Sequence, residues 1–174
     1  MSAANSDFEL RRARLGDEAE VLRLIQALAE YEKLAHEVVA TEADLRRTLF
    51  GEQPEAECLL AEVDGRCVGM ALYFANYSTF RGRAGIHLED LFVEPAMRGR
   101  GIGKGLLAAV ARIAVDRGCP RYEWSVLDWN TPSIEFYRAL GAVGLDEWTM
   151  FRLDEEALAQ VAAVAPPISD KSRS

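Results

Sequence analysis

The sequence predicts an α/β (α+β) fold in one domain, and two local patterns carry that prediction. Glu57 to Val63 and Arg66 to Phe74 are β-type runs separated by Asp64-Gly65, the pair that a tight type I′ hairpin turn prefers. A further strand-like run, Gly85 to Val93, leads past Pro95 into a glycine cluster. Beyond it Leu106, Leu107, Val110, Ile113 and Ala114 recur at helical spacing as far as Gly118. Strand, glycine turn and helix thus form the centre of the chain.

The other elements follow in order. Phe8 to Ala13 alternates polarity as a short strand, and Gly16-Asp17 opens a helix with Asp17 as N-cap and Glu20 three residues on. Val21, Leu22, Ile25, Leu28 and Ala29 give that helix one apolar stripe for packing. Thr41 to Asp44 reads as a second cap, starting a helix that runs to about Phe50 before Gly51 and Pro54 break it. Pro120 separates the post-glycine helix from a strand over Tyr122 to Leu127. Thr131-Pro132 then starts a short helix that Gly141 ends. A strand from Glu147 to Leu153 and a helix capped by Asp154, running to about Ala163, complete the pattern. Residues 1–7 read as a disordered N-terminus, 8–163 as the domain and 164–174 as a flexible tail.

The chain has 174 residues, 49% hydrophobic and 28% charged, which suffices for a core that needs no disulfide or metal staple. Its longest apolar stretch falls short of the roughly 18 residues a membrane span needs, and Met1 to Asp7 has no signal pattern, so a cytoplasmic protein is expected. Cys58, Cys67 and Cys119 lack metal-ligand spacing, as do His36 and His87. The cysteines read as buried thiols, and no metal is expected. A formal net charge of −8 opposes a nucleic-acid partner and suits a cationic ligand, although such a charge also simply keeps a protein soluble.

A strand that delivers Arg98-Gly99-Arg100-Gly101-Ile102-Gly103 into a helix N-terminus gathers unpaired backbone amides and the positive end of the helix dipole at one point. Glycines allow close approach, and Arg98, Arg100 and Lys104 add positive charge, so the turn reads as an anion site. A P-loop is disfavoured because Gly105 follows Lys104 where Ser or Thr is needed. A dinucleotide fingerprint is disfavoured because position 104 is not glycine. Glycines that merely form a tight turn and a close helix contact are the remaining alternative.

With Leu88 to Val93 before it, and Trp129 to Tyr137 and Gly141-Ala142 after it, this turn resembles the acetyl-CoA motif of the GNAT N-acetyltransferase superfamily, [QR]-x-x-G-x-[GA] between a strand and a helix. More narrowly, the chain resembles the diamine acetyltransferase branch over roughly Phe8 to Val161. Ala29 to Glu32, Tyr77 to Arg83 and Val126 to Asn130 lean toward the thialysine N-epsilon-acetyltransferases. Ser78 and Phe80 stand where the spermidine/spermine enzymes have an acidic residue and a Trp. The resemblance implies a central, mixed, mostly antiparallel sheet flanked by helices, with acetyl-CoA as cosubstrate at splayed strands, and usually a homodimer. Glu147 to Leu153 is the candidate dimer contact.

An alkyl amine with a pKa of about 10.4 is almost wholly protonated at neutral pH, so some group must take a proton before the nitrogen can attack a thioester. The resemblance implies Glu89 as that base, acting through water, and Tyr137 as the acid that protonates the leaving thiolate. It implies that Leu91, Phe92, Val93, Arg98, Gly99, Arg100, Gly101, Ile102, Gly103, Lys104, Asn130, Thr131, Pro132, Ser133 and Tyr137 hold the cosubstrate. Tyr31, Glu32, Glu89, Glu123, Trp124, Ser125 and Trp148 line the amine site. A backbone amide in Leu91 to Val93 would stabilise the developing oxyanion. Neither Cys58 nor Cys67 has a nearby His or Asn in sequence to make it a nucleophile, so direct transfer in a ternary complex is expected. Isolated residues of these types also serve ordinary ends: Glu32 as a solvated helix charge, Glu89 or Asp90 as a solvent-facing strand residue, and Tyr137 as an amphipathic core residue. Polyamine acetylation, acetylation of a protein lysine or N-terminus, and a non-catalytic acyl-CoA-binding module are the other readings.

Overall fold

A computed structural model describes residues 7–168. The first six residues of the expected N-terminal segment and residues 169–174 of the expected tail lie outside the described residues. The chain divides into two compact units, Met1–Val126 and Leu127–Ser174.

In the first unit β1 (Glu9–Arg12), β2 (Glu57–Val63), β3 (Arg66–Ser78), β4 (Arg83–Val93) and β5 (Tyr122–Trp124) lie side by side in chain order. Neighbours are antiparallel except β4 and β5, which run parallel, so the sheet is mixed and mostly antiparallel as expected. Asp64 (φ 50°) and Gly65 (φ 75°) both take the left-handed conformation that a type I′ hairpin requires. β3 extends past the expected Phe74 to Ser78, because its pairing with β4 continues through Tyr77 opposite Ala84 and Ser78 opposite Arg83.

One face of this sheet carries α1 (Glu18–Tyr31) and α2 (Glu42–Phe50). Val21, Leu24, Leu45 and Leu49 from the helices meet Cys58, Leu60, Met70 and Phe92 from the strands in one buried cluster. Each large apolar side chain fully buried there contributes about 1.5–3 kcal/mol, which fixes α1 against β3 and β4. α3 (Ile102–Asp116) packs against β3 and β4 through the residues that alternate with these, burying Leu106, Leu107 and Val110.

Thr41 and Asp44 form the expected reciprocal cap at α2. Asp17 precedes α1 but does not cap it by its side chain. Its carboxylate instead accepts two hydrogen bonds from the Arg11 guanidinium (2.7 and 3.0 Å) and one from the Arg14 amide. The Arg11 hydrogen bonds hold Asp17 below the usual carboxylate range, so a charged partner has displaced the helix amides. Cys58 and Cys67 are buried as expected, and burial pushes their thiols up to about 12 and about 11. Cys119 is only half-buried, since it follows the end of α3, where Gly118 turns the chain.

Two expected strands are corrected. β5 ends at Trp124 and not at Leu127, because β4 offers it partners only at Ile86, His87 and Leu88. The expected strand Glu147 to Leu153, in the second unit, is a turn followed by irregular chain. Trp148 donates its amide to Leu145, and the segment joins no sheet. Its aromatic and branched residues suit a pleated surface, but such residues form a strand only where a partner is supplied. The second unit otherwise has α4 (Thr131–Ala139), capped by Asn130 Oδ1 accepting from the Ser133 amide, and α5 (Glu155–Ala162), capped by Asp154.

Gly69 of β3 shows how closely β3, β4 and α3 are fitted. A Cβ there would lie 2.8 Å from the Phe92 carbonyl oxygen, 3.3 Å from Val93 and 3.4 Å from Leu106. Gly69→Ala is expected to lower stability by about 1–3 kcal/mol, read as a reduced urea midpoint at unchanged m-value.

Candidate active site

The site begins with one irregularity in β4. Along the β3–β4 ladder Leu72 pairs with Asp90 and Tyr73 with Leu88, which leaves Glu89 as an extra residue, a β-bulge. Before it Ile86 and Leu88 share a face with Tyr73; after it Leu91 and Val93 take that face, while Asp90 and Phe92 turn to the α1 face with Leu72 and Met70. Glu89 and Asp90 consequently line the same cavity, which strict alternation would forbid.

Pairing between β4 and β5 stops at Leu88, so among the described residues no strand pairs with the β5-facing edge of β4 from Glu89 to Val93. Leu91, Phe92 and Val93 form most of this unpaired stretch of strand.

Beyond Val93, the Glu94 amide donates to the Val68 carbonyl, and the Glu94 carboxylate is gripped by Arg23 and Arg66 (2.6 Å each). A short 3-10 turn, Pro95–Met97, then leads to Arg98. Gly99 (φ 78°) and Gly101 (φ 81°) adopt the left-handed conformation, with open space where a side chain would be. Gly101 is the N-cap of α3 and supplies no side-chain cap, and the first turn contains no acid. The leading amides of α3, at Ile102, Gly103 and Lys104, therefore face an open position together with the helix dipole. Arg100 and Lys104 are exposed beside them. An anion such as a diphosphate fits this arrangement, for which the conformation and openness of the glycines are the direct observation.

Arg98 has a different placement from the other cations of the turn. Its Nε donates to the Val93 carbonyl (3.0 Å), and its guanidinium lies 4.5 Å over the Tyr31 ring and 5.9 Å from the Phe92 ring. It joins the end of α1 to the end of β4.

On the α1 side lies a cavity of about 400 Å³ lined by Ile25, Leu28, Ala29, Leu34, Val38 and Val39 on the apolar side and by Glu32, Glu37, Glu89 and Asp90 as acids. Burial raises the Asp90 carboxyl to about 6, with the Glu89 and Glu32 charges adding to the effect. Burial also raises Glu32 above its ordinary value. Glu89 is more open, its side chain 56% exposed, with His87 Nε2 at 3.6 Å. The pocket can hold a cation carried on an apolar stem.

Of the expected amine-site residues in this unit, Glu32 and Glu89 line the cavity, and Tyr31 stands next to Glu32 beneath Arg98. The Glu123 carboxylate is engaged elsewhere, accepting from Asn76 (2.9 Å) and pairing with Arg121 (3.0 Å). Trp124 sits opposite Leu88, and Ser125 is exposed just past β5. In the second unit Asn130 is buried at the head of α4, Thr131, Pro132 and Ser133 form its first turn, the Tyr137 ring lies tilted against that of Phe136 (5.3 Å), and Trp148 lies in the irregular segment. Asp90 and Glu37 are the acids that sequence reasoning did not assign to the site. The adjacent pair Glu89-Asp90 inside an apolar run is the one signal that alternation fails there.

The Asp90 carboxyl binds its proton more tightly folded than unfolded. Its contribution to stability is therefore full below about pH 4 and is lost as pH rises through about 6. Asp90→Asn is expected to stabilise the fold by about 1–3 kcal/mol at pH 8 and by little at pH 4, measured as urea midpoints at both pH values.

Comparison with known proteins agrees with this geometry. The acetyltransferase (GNAT) family model matches residues 23–142. The chain is 44% identical over 164 residues to thialysine N-epsilon-acetyltransferase of Bos taurus, covering 88% of this chain and 96% of that protein. It is 32% identical over 194 residues to L-ornithine N5-acetyltransferase of Arabidopsis thaliana, covering 86% and 85%. Among solved structures, an integron cassette protein from the mobile metagenome of V. cholerae superposes with a TM-score of 0.76 at 25% identity, covering 90% of this chain and 98% of that one. The chain belongs to the GNAT acetyltransferase family, enzymes that pass an acetyl group from acetyl-CoA to an amine.

Proposed function

We propose that the chain acetylates the primary amine of a small molecule of the thialysine or short-diamine kind, by direct attack on acetyl-CoA in a ternary complex. The acid-lined cavity beside the free edge of β4 is the observation that carries this reading, because it suits an alkylammonium group. The names of the relatives, which act on thialysine and on the N5 amine of ornithine, point to the same class.

In this reading the amides of Gly99 to Lys104, with Arg100, hold the cosubstrate diphosphate, and Asn130 to Ser133 hold another part of the cosubstrate. A backbone amide in Leu91 to Val93 receives the developing oxyanion. Glu32 draws in the ammonium group, Glu89 takes its proton through water, and Tyr137 protonates the thiolate that leaves. Tyr31, Glu123 to Ser125 and Trp148 are assigned to the amine side on the sequence pattern. A homodimer belongs to the same reading; sedimentation is expected to give about twice the 19.3 kDa chain mass.

The number of carboxylates in the cavity favours a polyamine as the second reading. One experiment separates the two. Acetyl-CoA is incubated with thialysine, lysine, ornithine, putrescine or spermidine, and CoA release is measured. Release is expected with thialysine; spermidine as the best acceptor would favour the second reading, and no release with any amine would sink both. Tyr137→Phe is expected to lower kcat by about 10- to 100-fold while leaving the thermal midpoint in place.

A further inference from the structure

We propose that Glu94, gripped by Arg23 and Arg66, is a positioning residue for the cosubstrate end: it fixes where the chain leaves β4, so that the glycine turn holds its binding geometry before a diphosphate arrives. This role rests on the reading above in which the head of α3 takes the cosubstrate diphosphate.

The Glu94 carboxylate is built into the unit. Its side chain is only 14% exposed, Arg23 Nη1 from α1 donates to Oε1 (2.6 Å), and Arg66 Nη2 donates to both oxygens (2.8 and 2.6 Å). The main chain of the same residue is fixed as well. Its amide donates to the Val68 carbonyl (2.9 Å), and its carbonyl accepts from the Met97 amide (2.8 Å). Arg23 is held in turn by the Cys67 carbonyl (2.7 Å) and by Glu20 (2.8 Å). Short charge-assisted bonds of this kind set geometry as well as attract, and here they tie the approach to α3 onto α1 and the start of β3.

The turn beyond has little else to hold it. Gly99 and Gly101 are left-handed, with nothing within 4 Å of where a Cβ would stand. Glycine loses more conformational freedom on ordering than any other residue, so ordering such a turn during binding weakens the complex unless its ends are already placed. The far end is placed by α3, whose Gly105 amide donates to the Gly101 carbonyl (2.9 Å). The near end is placed by Arg98 Nε donating to the Val93 carbonyl (3.0 Å). Of the residues between Val93 and Arg98, Pro95 and Ala96 offer no polar side chain, and the Met97 sulfur lies 3.7 Å from Arg100 within the same turn. The link to the rest of the unit falls to Glu94.

A second clamp of the same make stands at the opposite end of α3. Glu57, at the start of β2, accepts from Arg117 at the C-cap of α3 (2.6 and 2.9 Å) and from Arg12 of β1 (2.6 Å). If both clamps only hold the fold together, losing either acts alike on a ligand. If Glu94 positions the turn, only its loss weakens the cosubstrate. The sign separates the causes too. Removing a carboxylate from the approach to an anion site, and releasing two arginines, tightens an anion on charge alone, whereas lost positioning weakens it.

The test is calorimetric titration with CoA, which needs no turnover, paired with steady-state kinetics on an amine that the wild type acetylates. Glu94→Gln is expected to raise the CoA Kd and the acetyl-CoA KM by about 10-fold, with kcat within about threefold and the amine KM within about twofold of wild type. Glu94→Asp should recover part of the affinity. Arg66→Gln, which leaves Arg23 on the carboxylate, should weaken CoA by about threefold and add little to Glu94→Gln, because both act through one clamp. Glu57→Gln is the matched control: its urea midpoint should fall while its CoA Kd stays within about twofold of wild type. Unchanged or tighter CoA binding in Glu94→Gln, equal weakening in Glu57→Gln, or an amine KM that rises in step would overturn the proposal. If Glu94→Gln does not fold, Arg66→Gln and Glu94→Asp carry the same test, and wild-type affinity in both overturns it. A wild type that binds no CoA would instead defeat the reading of the α3 head on which this role rests.

Discussion

The extra residue at position 89 is what the first unit's site depends on. A strand that kept strict alternation would send Glu89 and Asp90 to opposite faces of the sheet, with one of them under α3. The bulge resets the phase, so that Phe92 can enter the core with Met70 while two acids share one cavity. The same stretch is where β5 departs, so the rephased side chains and the open main-chain edge occur together. A bulge costs ladder hydrogen bonds locally, and the continuous pairing of β3 with β4 on either side offsets that loss.

Two opposed fields follow from this frame. The head of α3, with its uncapped amides and with Arg100 and Lys104, is positive within a chain whose net charge is −8. The cavity on the α1 side is lined by four acids beside apolar side chains, and burial raises two of them, Asp90 and Glu32. In the proposed reading a negatively charged donor and a positively charged acceptor are drawn to different ends of one strand segment. Arg98 stands where the two regions adjoin, joined to Val93 by a hydrogen bond and to Tyr31 by a ring contact.

Local patterns in the sequence were enough for the hairpin at Asp64-Gly65, the capping box at Thr41 and the glycine turn, because each is determined by residues adjacent in the chain. They failed where the outcome belongs to a partner. Asp17 has the right spacing for a cap, yet Arg11 claims it. Glu147 to Leu153 has the right composition for a strand, yet joins no sheet. Glu89 was legible as a site residue only through the resemblance. Asp90 was signalled only by its place next to Glu89 inside an apolar run, since a bulge is a mismatch between two strands and its register cannot be read from one alone.

The cavity walls come from a different part of the chain than the head of α3. Leu34, Val38, Val39 and Ala40 sit in the largely irregular segment between α1 and α2, which contributes little to the buried core. In the proposed reading, substitutions there reshape which amine is admitted while β4 and α3 keep their geometry. On that reading acceptor choice is free to diverge between descendants of one ancestral enzyme at small cost to folding, whereas the proposed cosubstrate end, built from left-handed glycines, has little freedom to change.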